Sequence, residues 1–126
     1  MNTNDLAAIG AALLNEGELV GAEGAAEAAV LLDPNAHDAW VVLGAALAKQ
    51  NKHEQAVGCF ERAIALDPKD VASHTSLGEL LIELGAYRRA ADTLKIAKEL
   101  DPTAAHPSGR RARALVGKTL STLKAM

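Results

Sequence analysis

The chain has 126 residues, 49% of them hydrophobic but only 2% aromatic, and a formal net charge of −3 at pH 7. Its apolar content is mostly Ala and Leu, which favours closely packed helices and excludes a sheet-rich fold built on β-branched and aromatic residues. The single cysteine, Cys59, excludes an internal disulfide, and no stretch reaches membrane-spanning length or resembles a cleaved leader, so a soluble, cytoplasmic protein is expected.

In chain order, the first predicted helices cover about 4–16 and 19–32 and end at Leu32-Asp33-Pro34. The next two cover about 36–49 and 53–66 and end at Leu66-Asp67-Pro68; a third pair covers about 70–84 and 87–100 and ends at Leu100-Asp101-Pro102. The three Leu-Asp-Pro motifs are spaced by 34 residues, and other columns keep that period: Gly10, Gly44 and Gly78; Leu13, Leu47 and Leu81; Ala22, Ala56 and Ala90; Ala29, Ala63 and Ala97. Each column has a physical reading. Trp40, Leu43 and Leu47 fall at helical spacing and make one buried stripe. Column Gly and Ala residues let helices approach closely. The Pro disfavours helix in the preceding Asp and is expected to open the next helix. Gly17, Asn51 and Gly85 fall where a left-handed residue ends the first helix of each pair. A seventh helix, about 105–124, carries Leu115, Leu120 and Leu123 on an apolar face and would cap the array.

This pattern resembles the tetratricopeptide repeat (TPR) over essentially the whole chain. Residues 37–70 fit best, through Trp40, Leu43, Gly44, Leu47, Ala56, Phe60, Ala63 and Pro68. Residues 71–104 place His74 and Leu94 in the Trp40 and Phe60 columns, and residues 3–36 place Leu6 and Ala26 there. The resemblance implies an all-α, right-handed α-solenoid: one domain over 1–126, with three helix–turn–helix repeats and a C-terminal capping helix. Repeat one is expected to be the least stable, because it lacks the Phe, carries Gly21 and Gly24 inside its second helix, and shows no polar N-terminal cap. Its Ala-rich surface is a candidate for homodimer formation.

In this family the first helices of successive repeats line a concave peptide-binding groove. The resemblance places Ala7, Ala11 and Leu14 there from repeat one, with Asn4, Ala8 and Asn15 beside them. It places Asp38, Val41, Val42, Ala45 and Lys49 there from repeat two, with Ala48, and Thr75, Glu79 and Ile82 from repeat three, with Ala72, Ser76 and Glu83. Several of these are small apolar residues that a lone helix would expose, as partner sites do. Some relatives grip a chaperone's terminal carboxylate with Lys, Asn and Arg. The matching positions here, Ala7, Ala11, Val42, Ala72 and Ser76, supply no charge-assisted donor. A client with an extended, hydrophobic segment is therefore expected. Three repeats, an apolar groove and a tail reading His106-Pro107 to Arg110-Arg111-Ala112-Arg113-Ala114-Leu115 also resemble the small TPR chaperones of bacterial type III secretion translocators. That family often dimerises through a helix ahead of its first repeat, and here repeat one starts at about Thr3. The alternative is a self-assembling scaffold or a subunit of a larger complex.

Charge is unevenly spread. Seven acids and no Lys or Arg fall between Met1 and Trp40, whereas five bases and no acid follow Pro102. Such a basic end reads either as an interaction tail or as a solvated helix face. Nucleic acid is not expected as a partner, since the chain is acidic overall and lacks stacking aromatics. No metal is expected, because His37, His53, His74 and His106 have no ligand spacing and no cysteine pair. Glu79 and Glu83 share a helix face and read as groove polarity or as a solvated pair. No phosphate loop or nucleophile motif is present, so neither enzyme activity nor a cofactor is expected.

Overall fold

The computed structural model describes residues 1–126 and contains seven helices and no strand. They are α1 (Thr3–Asn15), α2 (Leu19–Leu32), α3 (His37–Lys49), α4 (His53–Leu66), α5 (Val71–Glu83), α6 (Tyr87–Leu100) and α7 (Pro107–Ala125). Packing divides the chain into two compact units, Met1–Asp67 with α1–α4 and Pro68–Met126 with α5–α7.

The turn inside each repeat is the same structure three times. Gly17, Asn51 and Gly85 take φ of 80°, 63° and 76°. The next amide reaches back to close the helix: Glu18 N donates to the Leu13 carbonyl, Lys52 N to Leu47 and Ala86 N to Leu81, at 2.8–2.9 Å. These paired bonds satisfy carbonyls that a helix end leaves open, and Gly or Asn takes the left-handed position at low cost.

The Leu-Asp-Pro motifs end α2, α4 and α6 at the Asp, as the sequence predicts. They do not open the next helix. Pro34 and Pro68 lie in the loop, ahead of the first residues His37 and Val71, and only Pro107 stands at a helix start. The loop prolines serve instead as acceptors. Trp40 Nε1 donates to the Pro34 carbonyl at 2.7 Å, and His74 Nε2 meets the Pro68 carbonyl at 2.8 Å. His74, 6% exposed, thus replaces Trp40 as a ring N–H tethered to the loop behind it. Arg62 adds a bond to Asn35 Oδ1 at 3.1 Å.

The glycine columns mark where helices touch. A Cβ on Gly44 would lie 2.8 Å from the Phe60 ring, and one on Gly78 would lie 2.5 Å from Leu94. Phe60 and Leu94 are 3% and 0% exposed. In repeat one the corresponding Ala26 is buried but small, and Val42 of α3 comes to 3.1 Å of where a Gly10 Cβ would be. Ala7, Ala29 and Ala39 form a buried cluster flanked by Leu6, Val30 and Ala36.

One expectation for repeat one is corrected. α1 has a polar cap: Asn2 Oδ1 accepts from Asp5 N at 2.8 Å, and the Asp5 carboxylate accepts from Asn2 N, a reciprocal capping box. Asp takes the place of the usual Glu at the third position, which hid the signature.

Candidate functional site

In the first unit, α1 and α3 converge on a concavity of about 570 Å³ lined by Asn4, Ala7, Ala8, Ala11, Asp38, Val41 and Val42. Small residues open it. Four positions on the facing helix surfaces are Ala or Asn on α1, so nothing on that side reaches far toward α3. Ala8 is exposed, Ala11, Val41 and Val42 are half-buried, and Ala7 is 9% exposed at the floor. The one charge is Asp38, whose side chain is 93% exposed and lies 3.1 Å from His37 Nδ1. No Lys or Arg lines the space.

The structure thus brings together seven of the residues that the resemblance assigns to the groove: Asn4, Ala7, Ala8, Ala11, Asp38, Val41 and Val42. Leu14, Ala45 and Lys49 stand further along the same two helices, outside this concavity, with Leu14 and Ala45 half-buried and Lys49 exposed. In the second unit the assignment of Thr75, Glu79 and Ile82 to an open groove is corrected, because α7 lies on them. Thr75 is fully buried and its hydroxyl donates to the Ser108 carbonyl at 3.0 Å. Glu79 Oε1 accepts from Arg111 Nε and Nη2 at 3.0 and 2.6 Å. Ile82 packs with Leu115 against the buried cluster of Leu94, Ala97, Ala112 and Val116. The groove polarity expected of Glu79 is taken up by the chain's own Arg111. Both partners are half-exposed, so the pair fixes position and adds at most about 1 kcal/mol.

Sequence reasoning missed this because α7 is out of step with the repeat. Six residues, 101–106, separate α6 from α7, against four in the equivalent loops. The readable signal was the spacing Gly109, Ala112, Val116 and Thr119, which makes a narrow stripe that the structure buries.

Glu23 ties α2 to the α3–α4 turn. Its carboxylate accepts from Gln50 Nε2 at 2.8 Å and from Lys52 Nζ at 3.1 Å, and these bonds hold it below the ordinary Glu range. Cys59 is buried, and desolvation, with the Glu27 carboxylate adding to it, pushes its thiol up to about 11. A thiol held neutral in this way is a poor nucleophile. Cys59 is therefore expected to resist alkylation at mildly alkaline pH in the folded protein and to react fully in denaturant; rapid labelling of the native state would contradict its burial. No group of His, Cys, Asp and Glu is placed to hold a metal ion.

Comparison with known proteins agrees with this geometry. The tetratricopeptide repeat family matches residues 37–70, and a second tetratricopeptide repeat family matches residues 59–92. Among solved structures, the TPR2B domain of yeast Sti1, in complex with an Hsp70 peptide, shares 21% identity at a TM-score of 0.88, covering 95% of this chain and 97% of that one. The Yersinia enterocolitica type III secretion translocator chaperone SycD shares 20% identity at a TM-score of 0.88, covering 98% and 86%. PcrH, in complex with the chaperone-binding region of PopD, shares 22% identity at 0.87, covering 94% and 91%. A comparison with curated proteins gives no match. The chain is a tetratricopeptide-repeat protein with the all-α helical-repeat fold of these neighbours.

Proposed function

We propose that this protein is a non-catalytic binding module that takes an extended, largely apolar polypeptide segment into the α1–α3 concavity. The observation that carries this reading is the lining itself: Ala and Val walls, one exposed carboxylate and no base. Alanine at Ala7, Ala8 and Ala11 leaves room for a client's side chains, and burying them supplies the affinity. A terminal carboxylate finds no donor to form a charge-assisted bond and is repelled by Asp38, so an internal segment is preferred over a C-terminus. The neighbours support the coarser statement, since the Sti1 and PcrH structures each contain a bound partner segment. A secretion-chaperone role in the cytoplasm is the finer reading that the SycD and PcrH likeness favours. No helix of the structure is long and apolar enough to cross a membrane.

The test is fluorescence anisotropy with labelled peptides that alternate apolar and polar residues. Val42→Asp and Ala8→Asp are each expected to weaken binding by about tenfold or more, because a buried carboxylate would have to be desolvated. Ala8 is exposed, so its replacement leaves the fold intact and separates a lost site from a lost structure. Unchanged affinity in both variants would move the site elsewhere.

A further inference from the structure

The two ends of the chain carry faces that the groove does not use. On α1, Asp5, Ile9, Ala12 and Glu16 recur at helical spacing and are all exposed. They form one stripe with an apolar middle and an acid near each end. Beside it, α2 turns out Leu32, 60% exposed, along a side with no charge at Gly21, Ala25 or Ala28. The equivalent positions one repeat later are Gln55, Cys59 and Arg62, of which Cys59 is buried and Arg62 reaches the preceding loop. Repeat two thus presents polar Gln55 and Arg62 on this surface, where repeat one presents Gly21, Ala25 and Ala28. On α7, Arg110, Ala114, Lys118 and Ser121 also recur at helical spacing and are exposed, opposite the buried stripe of Gly109, Ala112 and Val116. A Cβ on the adjacent Gly117 would meet nothing within 4 Å, so the middle of this stripe is low.

We infer that the α1–α2 end face of one copy docks on the outer face of α7 of a second copy, head to tail. Charge decides between the pairings. Two α1–α2 faces brought together would oppose acids to acids, with no Lys or Arg before Lys49 to relieve them. Two α7 faces would oppose bases to bases, since no acid follows Asp101. The crossed pairing sets Asp5 and Glu16 against Arg110 and Lys118, with Ile9 over the low surface at Ala114 and Gly117. Like charges across an interface cost several kcal/mol, and opposite charges fix the register. A pairing of two different faces leaves one of each free on every dimer, so growth continues until a ring closes. This rests on surfaces outside the α1–α3 concavity and stands whether or not that concavity binds a client.

Sedimentation velocity over a concentration series tests it. The wild-type protein at low salt is expected to grow beyond a dimer as concentration rises, and to shrink when salt is added. Glu16→Lys and Lys118→Glu, both at exposed positions, are each expected to weaken association by about tenfold or more. Mixing the two variants, or combining them in one chain, is expected to restore it, because the swapped charges are again complementary. A wild-type monomer at all concentrations would overturn the inference. So would a dimer that neither swap weakens, or swaps that weaken association without rescue on mixing. Val42→Asp is expected to leave assembly unchanged, which separates this surface from the concavity.

Discussion

Phe60→Ala is expected to lower the stability of the folded chain by about 3–5 kcal/mol. The ring is 3% exposed and is the only Phe in the chain, seated on Gly44, where even a methyl group would come within 2.8 Å. Removing it opens a cavity that flanking alanines cannot fill. Ala56 and Ala63, one turn away on either side, are already fully buried. For a chain of this length the change corresponds to a fall of roughly 10–20 °C in the thermal midpoint. Gly44→Ala alone is expected to cost about 1–3 kcal/mol by overpacking against the ring. In the Phe60→Ala background the same change should cost far less, because the atoms it strikes are gone. That non-additivity is what a direct contact produces. Thermal or denaturant unfolding of the two single variants and the double variant measures it, and additive losses would mean that Gly44 and Phe60 do not touch.

This pairing also shows what the sequence could and could not reveal. That Gly44 and Gly78 mark close helix approaches was legible because a 34-residue period puts them in one column, but their partners Phe60 and Leu94 emerge only from the packing. The helix ends followed from the Asp-Pro stops and from Gly17, Asn51 and Gly85, since both signals act through the backbone of one or two residues. The roles of the prolines were not legible. Whether a Pro opens the next helix or presents its carbonyl to a ring N–H depends on Trp40 and His74 six residues later. The site was half legible for the same reason. Positions on α1 and α3 obey the period, and Ala7, Ala11, Asp38, Val41 and Val42 line one concavity. Thr75, Glu79 and Ile82 obey it too. What covers them is α7, whose register is displaced by a longer loop, and a column argument carries no information about a helix that has left the columns.

Gly109→Ala is expected to cost about 2–5 kcal/mol and to loosen α7 from the rest of its unit. An added Cβ would fall 2.0 Å from Asp101 Oδ2 and 2.7 Å from its Cβ and Cγ. Asp101 has nowhere to move. It is 7% exposed, and its carboxylate accepts from Ala105 N at 3.1 Å and His106 N at 3.0 Å. Those bonds hold the long loop in the shape that delivers Pro107 to the start of α7, with Ala104 in the left-handed region at φ 56°. Either the carboxylate leaves two amides unpaired, or α7 shifts away from α6 and α5. The second course would uncover Thr75 and separate Glu79 from Arg111, turning closed positions into an open apolar face. Hydrogen exchange distinguishes this from a general loss of stability. Faster exchange is expected at Ala105, His106 and the first turns of α7, with α1–α4 unchanged. Wild-type protection at Ala105 and His106 in a Gly109→Ala chain would mean that Asp101 does not govern the docking of α7.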